Sequence, residues 1–158
     1  MTVLLVRHAR AGRRERWPGD DRLRPLSRKG RVQASALVAA LTPFLPDAPQ
    51  LWSSPWVRCV QTLEPLAAAL RAGVEGDDTL GEGAGSAAVA RLEPWLDSDK
   101  CLVACTHGDV VLAVLEDLRG DGLVLDPAGE MPAAKGSTWV LTRRTGRAAT
   151  ARYLLPPG

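Results

Sequence analysis

Only two histidines occur among the 158 residues, and both end an apolar run. His8 follows Val3-Leu4-Leu5-Val6-Arg7, and His107 follows Cys101-Leu102-Val103-Ala104 by way of Cys105-Thr106. An unprotonated imidazole is a nucleophile, and near neutral pH this side chain is largely unprotonated. Arg7 precedes the first histidine, and a guanidinium fork matches the oxygens of phosphate or carboxylate in a bidentate way. A third element is Ser53-Ser54-Pro55-Trp56-Val57-Arg58, which places Arg58 near the start of a helix. A cation is poorly placed at a helix N-terminus unless an anion is present. Read alone, Arg58 is an exposed helix arginine. Read together, Arg7, His8, Arg58, His107 and a loop glutamate compose a site for phosphoryl transfer. One imidazole attacks phosphorus, two guanidiniums clamp its oxygens, the second imidazole adds a donor, and a carboxylic acid protonates the departing oxygen.

Such a site needs elements that bring distant residues together. Residues 2–7 and 101–105 read as buried strands, each with a histidine just beyond its carboxyl end. In an open α/β sheet that end forms the ligand crevice. The polar stretch Arg10 to Arg24 reads as a surface loop. Its Arg10, Arg13, Arg14 and Arg16 either attract anionic substrates or form a solvated loop balanced by Glu15, Asp20 and Asp21. Ser27 offers an N-cap, after which Val32, Ala36, Leu37, Ala40 and Leu41 recur at helical spacing as far as Pro43. Gln50 to Ser53 is a short strand. Ser54-Pro55 reads as a cap followed by proline at the first helical position, and Pro65 should bend or split that helix.

A weak strand near Ala72 to Glu75 and a loop over Gly76 to Gly85 precede a helix over Ser86 to Leu96. Asp109 to Leu118 is a further helix, and Gly120 to Gly136 a connection. Ser137 to Thr142 and Ala148 to Leu155, joined near Thr145-Gly146, read as a terminal hairpin. Strands alternating with helices indicate a three-layer α/β/α sandwich around a mostly parallel sheet with a C-terminal hairpin.

Length and composition suit one domain over residues 1–158, with 46% hydrophobic and 24% charged residues. No apolar run approaches the roughly 20 residues that span a bilayer, and Val3 to Val6 is too short for a secretory segment. The expectation is a cytoplasmic protein without a membrane partner. A net charge of +2 is too small to argue for nucleic acid. Cys59, Cys101 and Cys105 lack the spacing of a disulfide framework or zinc site and read as buried thiols. All but three of the 20 basic residues (Lys29, Lys100, Lys135) are arginine. Trp17 and Trp56 read as packing residues, with a base- or aromatic-binding mouth as the alternative, and Trp139 and Tyr153 read as structural.

The ordered set Leu5-Val6-Arg7-His8-Ala9, Pro25-Leu26-Ser27-x-x-Gly30, Ser53-Ser54-Pro55-x-x-Arg58-x-x-Gln61-Thr62 and Thr106-His107-Gly108 resembles the histidine phosphatase superfamily, which includes the cofactor-dependent phosphoglycerate mutases. Among its members the chain is most similar to the small SixA-type phosphohistidine phosphatases. It is also similar to the histidine-phosphatase domain that follows a Nudix domain in mycobacterial MutT-like proteins. The resemblance implies a phosphoglycerate mutase-like fold and a phosphatase that uses neither metal nor cofactor. It makes His8 the nucleophile, Arg7 and Arg58 phosphate ligands, and His107 a partner of the phosphorylated intermediate. Glu82 falls where many relatives place the proton donor, with Asp77, Asp78 and Asp109 as alternatives. Ala9 departs from the commoner glycine and favours the small members over the mutases. The implied substrate is a phosphohistidine-bearing protein or a phosphorylated small molecule such as a nucleotide or sugar phosphate. A non-catalytic phosphate-binding module is the alternative from another class.

Overall fold

In the computed structural model, which describes residues 2–158, the first strand explains the layering. β1 (Thr2–Arg7) is apolar at successive positions, so both of its faces must be covered. Val3 and Leu5 join one core cluster, and Leu4 and Val6 join another on the opposite face. All four are fully buried. The helices α1 (Arg28–Leu41) and α2 (Val57–Leu70) supply Leu37, Leu41, Leu63 and Leu66 to one cluster. The helices α3 (Gly85–Leu96) and α4 (Gly108–Gly120) supply Leu92, Leu96, Val111 and Leu115 to the other. The expected three-layer α/β/α sandwich is the observed architecture.

The remaining strands are β2 (Gln50–Ser53), β3 (Glu75–Gly76), β4 (Cys101–Thr106), β5 (Val124–Asp126), β6 (Thr138–Thr142) and β7 (Thr150–Leu154). They form one sheet in the order β3-β2-β4-β1-β6-β7-β5. β1 pairs in parallel with β4, β4 with β2, and β2 with β3. β6 runs antiparallel to both β1 and β7, which makes the terminal hairpin, while β5 lies parallel to β7 at the edge.

Four local expectations are corrected. α2 begins at Val57 with Trp56 as N-cap, because the chain at Ser54 still belongs to the sheet: its N–H donates to Cys105 O at 2.9 Å. Pro65 does not divide α2; Leu63, Leu66 and Ala67 are buried in the same cluster and hold both sides of the proline to the core. The strand expected near 72–75 is only Glu75–Gly76. The connection Gly120 to Gly136 contains β5, which patterning missed because it is three residues long and largely exposed.

Candidate active site

The two histidines meet because β1 and β4 are neighbours in register, with Arg7 opposite Thr106. The His8 N–H donates to Thr106 O at 3.0 Å, continuing the ladder one residue further. The two parallel strands therefore end side by side at their carboxyl ends. The two imidazole centroids lie 5.5 Å apart at 68°, and both side chains are buried.

Each ring has a fixed orientation. His8 Nδ1 lies 2.8 Å from Ala9 O. A carbonyl only accepts, so the proton resides on Nδ1 and the Nε2 lone pair is free. His107 Nε2 lies 2.9 Å from Ser54 Oγ and 3.6 Å from Cys59 Sγ. Ser54 Oγ also accepts from the Trp56 N–H at 3.4 Å. When the Ser54 hydroxyl donates to His107 Nε2, the ring carries its N–H on Nδ1, a buried atom without a protein partner. Ser54, read from sequence as a helix cap, is an imidazole anchor. Trp56 stacks edge-on to His107 at 4.7 Å and lies under the Arg58 guanidinium at 4.7 Å, so it packs against the site's own side chains. Trp139 packs on Tyr153 at 5.0 Å, and the indole N–H of Trp17 donates to Asp20 O.

Arg58 is 1% exposed, which overturns the reading of an exposed helix arginine. Its Nη1 donates to Asp21 O at 2.8 Å, and its Nη2 lies 3.2 Å from Asp21 Oδ2 and 3.8 Å from Glu82 Oε2. Arg7 donates through Nη1 to Ala133 O. A Cβ on Gly108 would come within 2.8 Å of Arg7 Cζ, so the glycine of Thr106-His107-Gly108 makes room for the guanidinium. Arg7 Nε and Arg58 Nε, like His107 Nδ1, are buried without a protein partner. Buried polar atoms without a partner are rare in folded proteins. Three in one place form a set suited to an oxyanion.

Arg7, His8, Arg58, Glu82 and His107 all line one cavity of about 680 Å³. Thr106 Oγ1 donates to Leu80 O at 2.5 Å, and the Gly83 N–H donates to Asp109 Oδ2 at 2.8 Å. These bonds hold the Glu82 loop over the pocket. Of the alternative acids, Asp109 lines the cavity. Asp77 instead pairs with Arg91 at 2.9 Å, and Asp78 is not among the lining residues.

Patterning missed a second layer of charge. Asp21 accepts from Arg24 Nε at 2.7 Å, and its other oxygen lies 3.3 Å from Arg14 Nη2. Arg14 also pairs with Glu82 at 3.0 Å, so the arginine-rich loop is partly tied into the site by ion pairs. Arg24 is 5% exposed and lines the cavity. Its position directly before Pro25-Leu26-Ser27 was the available signal. The hydrogen bond from Arg24 holds the Asp21 carboxyl below its ordinary range, helped by Arg58 and Arg14.

The electrostatics favour an unprotonated His8. Burial pulls its pKa from 6.5 to about 3, against the hydrogen bond to Ala9, with Arg58, His107 and Arg7 pulling the same way as burial. Like charges oppose formation of an imidazolium. Burial also lowers Arg7 and Arg58 from their ordinary range, although a guanidinium stays charged in proteins. The three cysteines are buried free thiols. Among the described residues, no helix is long and apolar enough to cross a membrane.

A profile of the histidine phosphatase superfamily (branch 1) matches residues 3–89, more than half of the chain. The 8-oxo-(d)GTP phosphatase of Mycolicibacterium smegmatis is 42% identical over 161 residues, covering 99% of this chain but 48% of that protein. The chain thus spans about half the length of that relative. Among solved structures, the protein histidine phosphatase SixA complexed with tungstate superposes with a TM-score of 0.78 at 19% identity, over 99% of this chain and 97% of the other. A mutant Entamoeba histolytica phosphoserine phosphatase in complex with phosphoserine gives 0.70 at 12% identity, over 95% and 94%. These two likenesses show the fold. With the fold, the ordered motifs and the profile in agreement, the chain belongs to the histidine phosphatase superfamily (branch 1).

Proposed function

We propose that residues 1–158 form one catalytic domain that hydrolyses a small phosphomonoester, of the nucleotide class, through a phosphohistidine on His8. The observation that carries this reading is the convergence of His8, His107, Arg7 and Arg58 on one cavity. The nucleotide class is supported by the 42% identity to an 8-oxo-(d)GTP phosphatase.

In the first step, His8 Nε2 attacks phosphorus and the bond to the leaving oxygen breaks. Arg7, Arg58 and His107 Nδ1–H bind the non-bridging oxygens, whose charge needs positioned donors more than covalent help. Glu82 gives its proton to the leaving oxygen. Substrate oxygens compete with Glu82 for Arg14 and Arg58. In the second step, Glu82 takes a proton from water as that water attacks phosphorus, the N–P bond breaks, and His8 regains its lone pair. Two guanidiniums supply the neutralising charge, so the scheme calls on no metal.

A second reading, dephosphorylation of protein phosphohistidine, is favoured by a mouth rimmed with the exposed Arg13, Arg14 and Glu15. Phosphate release from nucleotides, sugar phosphates, p-nitrophenyl phosphate and a phosphohistidine protein, with chelator present, tests both readings. Turnover of nucleotides, absent in His8→Ala, is expected. Turnover of the phosphoprotein alone selects the second reading, and no turnover of any substrate leaves a phosphate-binding module.

A further inference from the structure

Beside the catalytic cavity lies a second one of about 550 Å³, to which Arg10, Lys29 and Lys135 contribute. Ala11 and Lys135 line both cavities, so the two are adjoining compartments. No Asp or Glu side chain lines the second compartment; Ser27 and Gln33 supply its polar surface, with Pro156 and Gly158 completing its wall. Its three cations are exposed, and no carboxylate lies within ion-pair distance of them among the described residues. This differs from the catalytic side, where Asp21 and Glu82 compensate Arg14, Arg24 and Arg58. The field is felt locally: burial and then Arg7, Arg24, Arg10 and Arg58 pull the Lys135 ammonium below its ordinary range.

The wall of this compartment is fixed by internal bonds. Gln33 Oε1 accepts from the Arg10 N–H at 3.0 Å, and Gln33 Nε2 donates to Lys135 O at 3.4 Å. Ser27 Oγ donates to Arg10 O at 3.1 Å and accepts from the Gly30 N–H at 3.1 Å. One buried amide therefore ties the segments that carry Arg10 and Lys135 to α1, which carries Lys29. Such cross-bracing sets the spacing of the charges, as recognition of a compact anion requires. α1 has no acidic residue in its first turn and carries Arg28 and Lys29 there, so the positive end of the helix adds to the excess.

We propose that the compartment of Arg10, Lys29 and Lys135 binds a second anionic group, phosphate or carboxylate, of a small substrate whose scissile phosphate sits at His8. This rests on the phosphatase reading above and narrows its substrate to molecules with two separated anions. An acidic segment of a phosphoprotein is the competing occupant. A cavity of small-molecule size that adjoins the catalytic one favours the compact ligand.

The test compares hexyl phosphate with the bisphosphates of 1,6-hexanediol and 1,3-propanediol, in the wild-type protein and in an Arg10→Gln/Lys29→Gln double variant. In the wild type at low salt, the better bisphosphate should show a KM about tenfold below that of hexyl phosphate, about 1.4 kcal/mol. The advantage should shrink as salt is raised. In the double variant it should disappear while hexyl phosphate kinetics are retained. Equal KM values for mono- and bisphosphate in the wild type, or a preference that survives in the double variant, would overturn the subsite and leave the phosphatase reading intact. A Lys29-dependent KM for an acidic phosphohistidine peptide, with no bisphosphate preference, would also overturn it. Failure of the folded wild type to hydrolyse hexyl phosphate or any bisphosphate would overturn the subsite, and failure on nucleotides, sugar phosphates and p-nitrophenyl phosphate as well would remove the phosphatase reading with it.

Discussion

Replacing His8 by asparagine should remove a definite part of the protein's sensitivity to acid. In the folded state burial, reinforced by Arg58, His107 and Arg7, pulls the His8 pKa to about 3. In the unfolded chain it returns to about 6.5. Between these values the unfolded state binds a proton that the folded state refuses. Stability therefore rises with pH across the window of about 3 to 6.5 and is flat, for this group, above it. At pH 4.5 the unfolded state sits two units below its pKa and gains about 2–3 kcal/mol from protonation, while the folded state gains almost nothing. Urea unfolding at pH 7.5 and 4.5 should show wild type losing about 2–3 kcal/mol more than His8→Asn. With a urea slope of roughly 2 kcal/mol per molar, the difference is about 1 M in midpoint. Other titrating groups are common to both proteins and cancel in the comparison. Equal pH dependence in the two proteins would refute the claim that the site holds His8 neutral.

Glu82→Gln should slow alkyl phosphates by about 10²-fold or more and aryl phosphates far less, because a good leaving group needs little protonation; equal losses on both would remove Glu82 from the acid role. Asp21→Asn takes the carboxylate from a guanidinium that is 1% exposed. It should cost about 1–3 kcal/mol of stability and about tenfold in kcat/KM, as urea unfolding and steady-state kinetics would show; unchanged values of both would mean that Asp21 does not hold Arg58. Gly30→Ala puts a Cβ 1.8 Å from Arg10 O, so α1 or the segment after His8 must shift. A loss of about 3 kcal/mol in urea unfolding, with reduced kcat, is expected, and an unperturbed variant would contradict the close packing.

The position of the histidines was legible because local pattern carries it: a short run buried on both faces, then an imidazole, twice. That the two would share one crevice followed from their places at strand carboxyl ends, whereas the direct pairing of β1 with β4 is tertiary and leaves no local trace. Arg58 illustrates the limit. Its helix was readable, but its burial comes from Asp21, Glu82 and Trp56, which lie on other segments or behind a turn. Ser54 failed for the same reason: hydroxyl followed by proline is a sound capping signal, and only the distant imidazole redirects it. Gly30 was part of a motif without a cause until the structure set it against Arg10 O. Arg24 and Asp21 were hidden in a loop whose charge looked self-balancing, because ion pairing across a fold leaves no periodic trace.

The most direct measurement is to mix the protein with a ³²P-labelled phosphomonoester, quench in alkali within one turnover, and map the label by proteolysis. The predicted result is close to one acid-labile phosphoryl group per chain on the peptide containing His8, absent from His8→Ala. Multiple turnovers with no label, or label on a residue other than His8, would contradict the assignment of the nucleophile.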